Sequence, residues 1–376
     1  MAGIFTDGVA EIRPGTYFNV NTNDGSKVIG AKDGIVGVVF QGTFGPLNKV
    51  VKLTADQGAF PIFGDGGNVD AIEYAFLGGA DTVLAVRVGA EGTEAAVQLG
   101  EIVTIKGKYP GSREFSVSVK DSLTDKAKKE ISFYSGSRRI ESYVIAKSTD
   151  KEGAALAEAM RKSARFTAQV NTDGQLEPVS QKAFTAGTDP EATVENYSEA
   201  LEKLESHYMN ALCVDTENPA VHLLLKTFLD GAYDNGLFTC GIVAELSSQT
   251  LEDRIANALT YNDEKMIYLL NAHVGMSEKD LDGYQTAAVV AGMYASYSSN
   301  KALTHKILPG VSELKEVLPP ARMESAETKG CLVLSNSPAG KCWIDNAINT
   351  LVELPENKDA GWKKLRRTKT RFELMY

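Results

Sequence analysis

The sequence predicts an α/β core, a mixed sheet with flanking helices built from both ends of the chain. A small β-rich domain is inserted into it, and an extended N-terminal arm precedes it. Three observations predict this. Residues 28–88 and 189–340 each alternate short apolar runs with helical repeats, the pattern of a mostly parallel sheet covered by helices. Residues 92–188 are more polar and turn-rich, and several of their apolar positions alternate with period two. Residues 1–22 carry apolar side chains but are interrupted by the turn chemistry of Arg13-Pro14-Gly15. The expected divisions are an arm at 1–22, core at 23–91, insertion at 92–188, core again at 189–340, and a C-terminal part of the core with a basic segment at 341–376.

In chain order, Val9, Ile12, Tyr17, Phe18 and Val20 suit an extended arm with short strand-like pieces. Ile35 to Phe40 reads as a buried strand. Asn68 is placed to cap a helix whose face is Val69, Ile72, Ala75 and Phe76, which Gly78-Gly79 ends. Thr82 to Val88 is a second strand. The insertion offers strands near Ile102–Lys106, Phe115–Lys120, Ile131–Tyr134, Ile140–Ile145 and Phe166–Val170, with one helix at about 151–164. Beyond it, Asp189 and Pro190 read as a helix start ahead of an apolar stripe of Val194, Tyr197, Leu201 and Leu204. Strands at Ala211–Val214, Thr239–Ala244 and Met266–Leu270 alternate with helices at Pro219–Tyr233, Leu251–Tyr261 and Tyr284–Tyr297. Trp343 to Leu354 reads as strand material closed by Pro355. Trp362, Leu365, Phe372 and Met375 recur at roughly helical spacing among basic residues.

The chain has 376 residues and a net charge of −10. From Lys358 onward there are seven basic and two acidic residues, a net of +5, so the remainder carries −15. A basic tail on an acidic body suits docking between copies of one subunit. Nucleic-acid binding by the cluster around Trp362 and Phe372 is the weaker reading, because the chain as a whole is acidic. No stretch is long and apolar enough to span a bilayer, and no secretory leader is read at the N-terminus. The four cysteines, Cys213, Cys240, Cys331 and Cys342, lack metal or disulfide spacing and are expected to be reduced and buried.

No motif for catalysis stands out. Gly64-Asp65-Gly66-Gly67 precedes a helix but lacks the span of a dinucleotide or P-loop motif, so a plain turn is expected. There is no G-x-S-x-G elbow. His207, His222, His273 and His305 lie far apart, and Glu199, Glu202 and Glu205 form a solvated helix face.

Several strings resemble one family. Gly37, Gly42, Gly45 and Pro46, then Phe60, Phe63 and Gly64, then Gly78, Gly79 and Val86-Arg87-Val88 follow the order of motifs in contractile phage tail sheath proteins. Lys108-Tyr109-Pro110-Gly111-Ser112-Arg113 is similar to a further family string, with Glu114 where glycine is usual. Ile348-Asn349-Thr350-Leu351 and the following Trp-Lys-Lys-Leu-Arg-Arg block match a third, and Arg13-Pro14-Gly15-Thr16-Tyr17 resembles a motif near the family's start.

The resemblance implies a structural subunit that polymerises around a tail tube and contracts to drive the tube through the bacterial envelope. It implies no enzyme activity, cofactor or metal. The implied partners are further copies of itself, the tail tube protein, and baseplate and terminator proteins, with no nucleic acid and no direct membrane insertion. The implied location is a virion tail or phage-tail-like particle assembled in the bacterial host cytoplasm. The expected subunit interface is Val9, Ile12, Arg13, Tyr17, Phe18 and Val20 of the arm, Leu351 and Val352, and Lys363, Lys364, Arg366, Arg367 and Arg371. Family members usually continue past the basic segment to a further helix and strand, which leaves C-terminal strand exchange open. The alternative is a metabolic α/β enzyme with a convergent site at the C-terminal ends of the core strands.

Overall fold

A computed structural model of the chain describes residues 34–375 in full, and residues 2–4 and 16–18 as backbone. A seven-stranded sheet forms the core. Its order across the sheet is Cys331–Leu332, Met266–Leu269, Cys240–Ala244, Ala211–Val214, Ile35–Phe40, Thr82–Arg87 and Val50–Thr54. All neighbours are parallel except the last pair, so the sheet is mixed through one antiparallel edge strand. Ile35–Phe40 pairs with Ala211–Val214 across the whole insertion, with Val36 opposite Ala211. The interior strands are buried on both faces, which explains their continuous apolar runs.

Helices Asp70–Leu77, Gly283–Ser296 and Leu365–Met375 cover one face, and Val194–Glu202, Pro219–Asp234 and Leu251–Tyr261 the other. Gly283–Ser296 is buried nearly throughout because it lies between the sheet and its neighbouring helices, and its small residues permit that. Pro219 takes the first turn of its helix while the Asn218 side chain accepts from the Ala220 N–H at 2.9 Å.

Two helix starts differ from the sequence expectation. Val194–Glu202 begins four residues after Pro190, with Thr193 and Asn196 forming a reciprocal capping box. Asp189 instead accepts from the Ser112 N–H and hydroxyl at 2.7 Å each. Asn68 does not cap Asp70–Leu77: its Nδ2 donates to Asp215 at 2.9 Å and its Oδ1 accepts from the Tyr284 hydroxyl at 3.3 Å. In both cases a tertiary acceptor or donor outcompeted the local cap.

The inserted strands form two antiparallel sheets. One runs Arg138–Ala146, Lys128–Ser135, Ser116–Asp121, Val179–Ala183, and the other Phe166–Val170, Val103–Pro110, Glu94–Leu99. Phe115, Phe133, Phe166 and Phe184 fill the space between them, with the Phe133 and Phe166 rings stacked at 4.7 Å. Phe44, from the turn after the first core strand, reaches into this cluster and meets Phe115 edge-on at 5.1 Å. A buried Lys129–Glu152 pair at 2.8 Å fixes the Glu152–Ala159 helix, and Glu152 also accepts from the Leu176 N–H. Where the insertion leaves and re-enters the core, the two chains pair: Ala90 and Glu191 exchange backbone bonds of 2.9 and 3.0 Å, and Thr93 lies opposite Thr188.

Trp343 to Leu354 is not one strand. Only Cys342–Ile344 is strand, paired with Leu334–Asn336. The four cysteines are free and buried. Among the described residues no helix is long and apolar enough to cross a membrane.

Candidate functional site

The basic segment folds onto its own body. A short turn at Ala360–Lys363 leads into Leu365–Met375, an amphipathic helix whose Leu365, Phe372 and Met375 enter the core. Lys369 lies on the same face. Its buried ammonium donates to the carbonyls of Tyr294 and Ala295 at 3.0 Å each, and to that of Tyr297. These carbonyls end the Gly283–Ser296 helix, where a cation is favoured by unfilled acceptors and by the helix dipole.

Arg371 is also buried. It stands 2.8 Å from Glu264 in charge contact, and its guanidinium stacks 3.9 Å from the Trp362 ring centroid. Lys358 approaches the same ring and the same carboxylate. Arg371 is therefore part of the fold and is not exposed for a neighbouring copy, contrary to expectation. Leu351 is likewise buried, and Val352 is half-buried, its N–H held by the Asn262 side chain at 2.8 Å. The Ile348–Leu351 string is a connector: Asn349 donates to the Trp362 carbonyl at 2.8 Å, and Thr350 bonds both the Met266 carbonyl and Asp263.

Three of the four remaining cations meet at one place. Lys364, Arg366 and Arg367 are exposed and Lys363 half-buried. Lys364 and the two arginines line an open groove of about 330 Å³, with Leu303, Thr304 and Asn346 opposite. Lys364 bonds Asn346 at 2.7 Å and Arg367 pairs with Asp359, so both are held in place. Of the arm residues, Val9, Ile12, Arg13 and Val20 lie outside the described residues. Tyr17 and Phe18 lie in Thr16–Phe18, which pairs in parallel with Ala2–Ile4 beside the terminal helix.

The glycine-rich and arginine motifs converge on the junction of insertion and core. Arg87 is fully buried, with no carboxylate in contact among the described residues. Its Nε donates to the Gly42 carbonyl at 2.8 Å and Nη1 to those of Gly45 and Pro110 at 2.9 Å. Burial pulls its pKa down to about 10, which still leaves it charged at neutral pH. It thus ties the turn after the first core strand to the insertion. Gly111, at φ +147, lets that chain pass the Thr43 carbonyl, since a Cβ there would lie 1.8 Å from the oxygen. Arg113 packs over Phe44, Phe60 and Phe115. The Gly64-to-Gly67 turn is a packing element of this junction, adjoining Arg113 and Thr43.

At the carboxyl edge of the parallel sheet, where an α/β enzyme would place its chemistry, lies a polar network the sequence did not single out. Asp215 accepts from the Gln41 N–H at 2.6 Å, the Tyr197 hydroxyl at 2.5 Å and the Asn68 amide at 2.9 Å. Burial pushes its pKa up to about 6, with those hydrogen bonds opposing. His222 is fully buried, with Nε2 2.8 Å from the Thr216 carbonyl, and burial draws its pKa down to about 4. Both oxygens of Asp215 are occupied by groups that join separate segments, an arrangement that holds the sheet edge together.

The comparisons with known proteins agree with this architecture. Residues 90–189 match the family model of the phage tail sheath protein beta-sandwich domain, and residues 190–350 that of the phage tail sheath protein central domain. The chain is 21% identical to the uncharacterized Bacillus subtilis (strain 168) protein YqbK over 96% of its own length and 78% of that protein's. Its fold is similar to that of a sheath tail protein from Desulfitobacterium hafniense, with a TM-score of 0.77, 19% identity, and coverage of 95% of this chain and 81% of that one. A sheath tail protein from Listeria innocua gives a TM-score of 0.74 at 20% identity, covering 93% and 76%. With adjoining sheath-domain matches running from residue 90 to 350 over a core-and-insertion fold of the same kind, the chain belongs to the phage tail sheath protein family.

Proposed function

We propose that the chain is the repeating structural subunit of a contractile tail sheath, stacking around a tail tube and shortening to drive that tube through a bacterial envelope. The observation that carries this reading, beyond the family itself, is the groove where Lys364, Arg366 and Arg367 are exposed together on a chain of net charge −10. Part of the basic segment is used inside the fold, and these three remain turned outward. They suit the acidic surface of an adjacent copy. The arm residues Val9, Ile12, Tyr17, Phe18 and Val20 would add strand pairing, which supplies main-chain bonds that survive large rigid-body movement. Tube, baseplate and terminator proteins would be the further partners, in a virion tail or phage-tail-like particle. The chain would carry no catalytic site.

Electron microscopy and sedimentation of the purified chain test this. Tubes or stacked rings that grow with concentration are expected. A strictly monomeric species at high concentration would sink the proposal.

A further inference from the structure

The junction of insertion and core holds more cationic groups than its carboxylates engage. Arg87, Arg113, Arg138 and Arg165 all reach it. Arg165 pairs with Glu141 at 3.1 Å and donates to the Pro61 carbonyl, while Glu141 also accepts from Tyr143 and Ser163. Arg113 is 5% exposed. Its Nε donates to the Ser135 hydroxyl at 3.1 Å, but among the described residues Nη1 and Nη2 have no acceptor, and neither does Nε of Arg165. The Arg113 guanidinium lies 5.0 Å from the Phe60 ring centroid, and that of Arg138 lies 4.2 Å from the same ring. Asp65, exposed on the adjoining turn, is the carboxylate whose field reaches Arg113, against the repulsion of Arg165 and Arg138.

Leaving buried charged donors unfilled is costly. A guanidinium fork is filled best by a planar pair of oxygens. We propose that this junction binds a two-oxygen anionic group, a carboxylate or a phosphate-class oxyanion, at the unfilled Nη1 and Nη2 of Arg113, with Arg138 near enough to add its charge. Arg138 is exposed at the start of its strand and Phe60 is half-buried, so the anion enters past Arg138. The group has two sources. It is a free oxyanion from solution, or a side-chain carboxylate of a second copy, the latter resting on the polymerising role proposed above. Filling the site would lock the insertion's orientation, because Arg113 belongs to the insertion while Phe60 and Gly64 belong to the core.

The test uses the full chain and inorganic phosphate, with chloride as the control at matched ionic strength. Phosphate at about 10 mM is expected to raise the unfolding temperature on the order of 3 °C, and Arg138→Gln is expected to abolish the rise. Arg138→Lys, which keeps the charge but loses the fork, should retain only part of it. Sedimentation of the same proteins separates the sources. Self-association weakened by Arg138→Gln and competed by phosphate assigns the site to a second copy's carboxylate. Unchanged association together with the lost thermal shift assigns it to a free oxyanion. A shift of equal size in Arg138→Gln, or no shift and no change in association, overturns the proposal. The thermal arm needs no polymer, so its outcome is independent of the sheath role.

Discussion

Asp215 and His222 are buried ionisable residues whose titrations oppose one another. The Asp215 carboxyl rises from 3.8 to about 6 on folding, so its contribution is full in acid and is lost as pH rises through 6. The His222 imidazole falls from 6.5 to about 4, so its contribution is full above 6.5 and is lost as pH falls through 4. Between pH 4 and 6 the two slopes have opposite signs. Asp215→Asn should therefore gain stability relative to the parent as pH rises across this window, by up to on the order of 3 kcal/mol. His222→Gln should gain relative to the parent as pH falls from 6.5 to 4. Urea unfolding at pH 4, 5, 6 and 7 measures both, and a parallel profile for Asp215→Asn would remove the argument. Neither role was legible in the sequence. Asp215 follows a strand like many turn residues, and only the distant Gln41, Asn68 and Tyr197 give it its partners.

At the scale of the element, the terminal helix has two faces with different tasks. Lys369 fills the carbonyl end of Gly283–Ser296, so Lys369→Ala should cost roughly 2 kcal/mol, while Lys364→Ala should stay within about 0.5 kcal/mol. Thermal or chemical unfolding separates the two. Reversing Lys364, Arg366 and Arg367 to glutamate together should leave the unfolding midpoint nearly unchanged and weaken polymerisation, with the parent's own assembly falling as salt rises. Normal polymers from that variant would show that the groove is not a subunit contact. The helix itself was legible from the spacing of Leu365, Phe372 and Met375. The same spacing places Lys369 on the apolar face, four residues after Leu365 and three before Phe372, where a lysine must find buried acceptors. The long strand expected at Trp343–Leu354 fails for a related reason. Asn349 and Thr350 are polar yet fully buried, and their bonds run to the terminal helix and to Asp263 in place of a ladder. Val179–Ala183 carries little sequence signal because it is largely polar and exposed, while in Glu94–Leu99 the buried Ala95, Val97 and Leu99 do alternate with Glu94, Ala96 and Gln98, a period-two signal weakened by the alanines.

For the molecule as a whole, the alternating core was legible because parallel strands buried on both faces read as plain apolar runs, as Ile35–Phe40 and Ala211–Val214 do. What a one-dimensional pattern does not carry is the way Phe44 and Arg87 cross from core to insertion. They bear on whether the core folds without residues 92–188. Because Ala90 and Glu191 are hydrogen-bonded neighbours, a two-residue turn can join them. That deletion alone strips the cover from Phe44 and removes the Pro110 acceptor of Arg87. The shortened chain should unfold cooperatively but aggregate, and adding Phe44→Ser should restore a monodisperse product on gel filtration. Loss of all folded protein with both changes would show that the insertion is needed to form the core.

The paired neck also has a mechanical consequence. A pull on the insertion draws both chains of the neck the same way, so the Ala90–Glu191 and Thr93–Thr188 bonds lie across the load and carry little of it. A pull along the core strands loads the rungs of a parallel sheet together, in shear. Under an outward load the contacts that bridge the two, Phe44 against Phe115 and Arg87 to the Pro110 carbonyl, should give first, while the neck stays paired and the seven-stranded sheet keeps its shape.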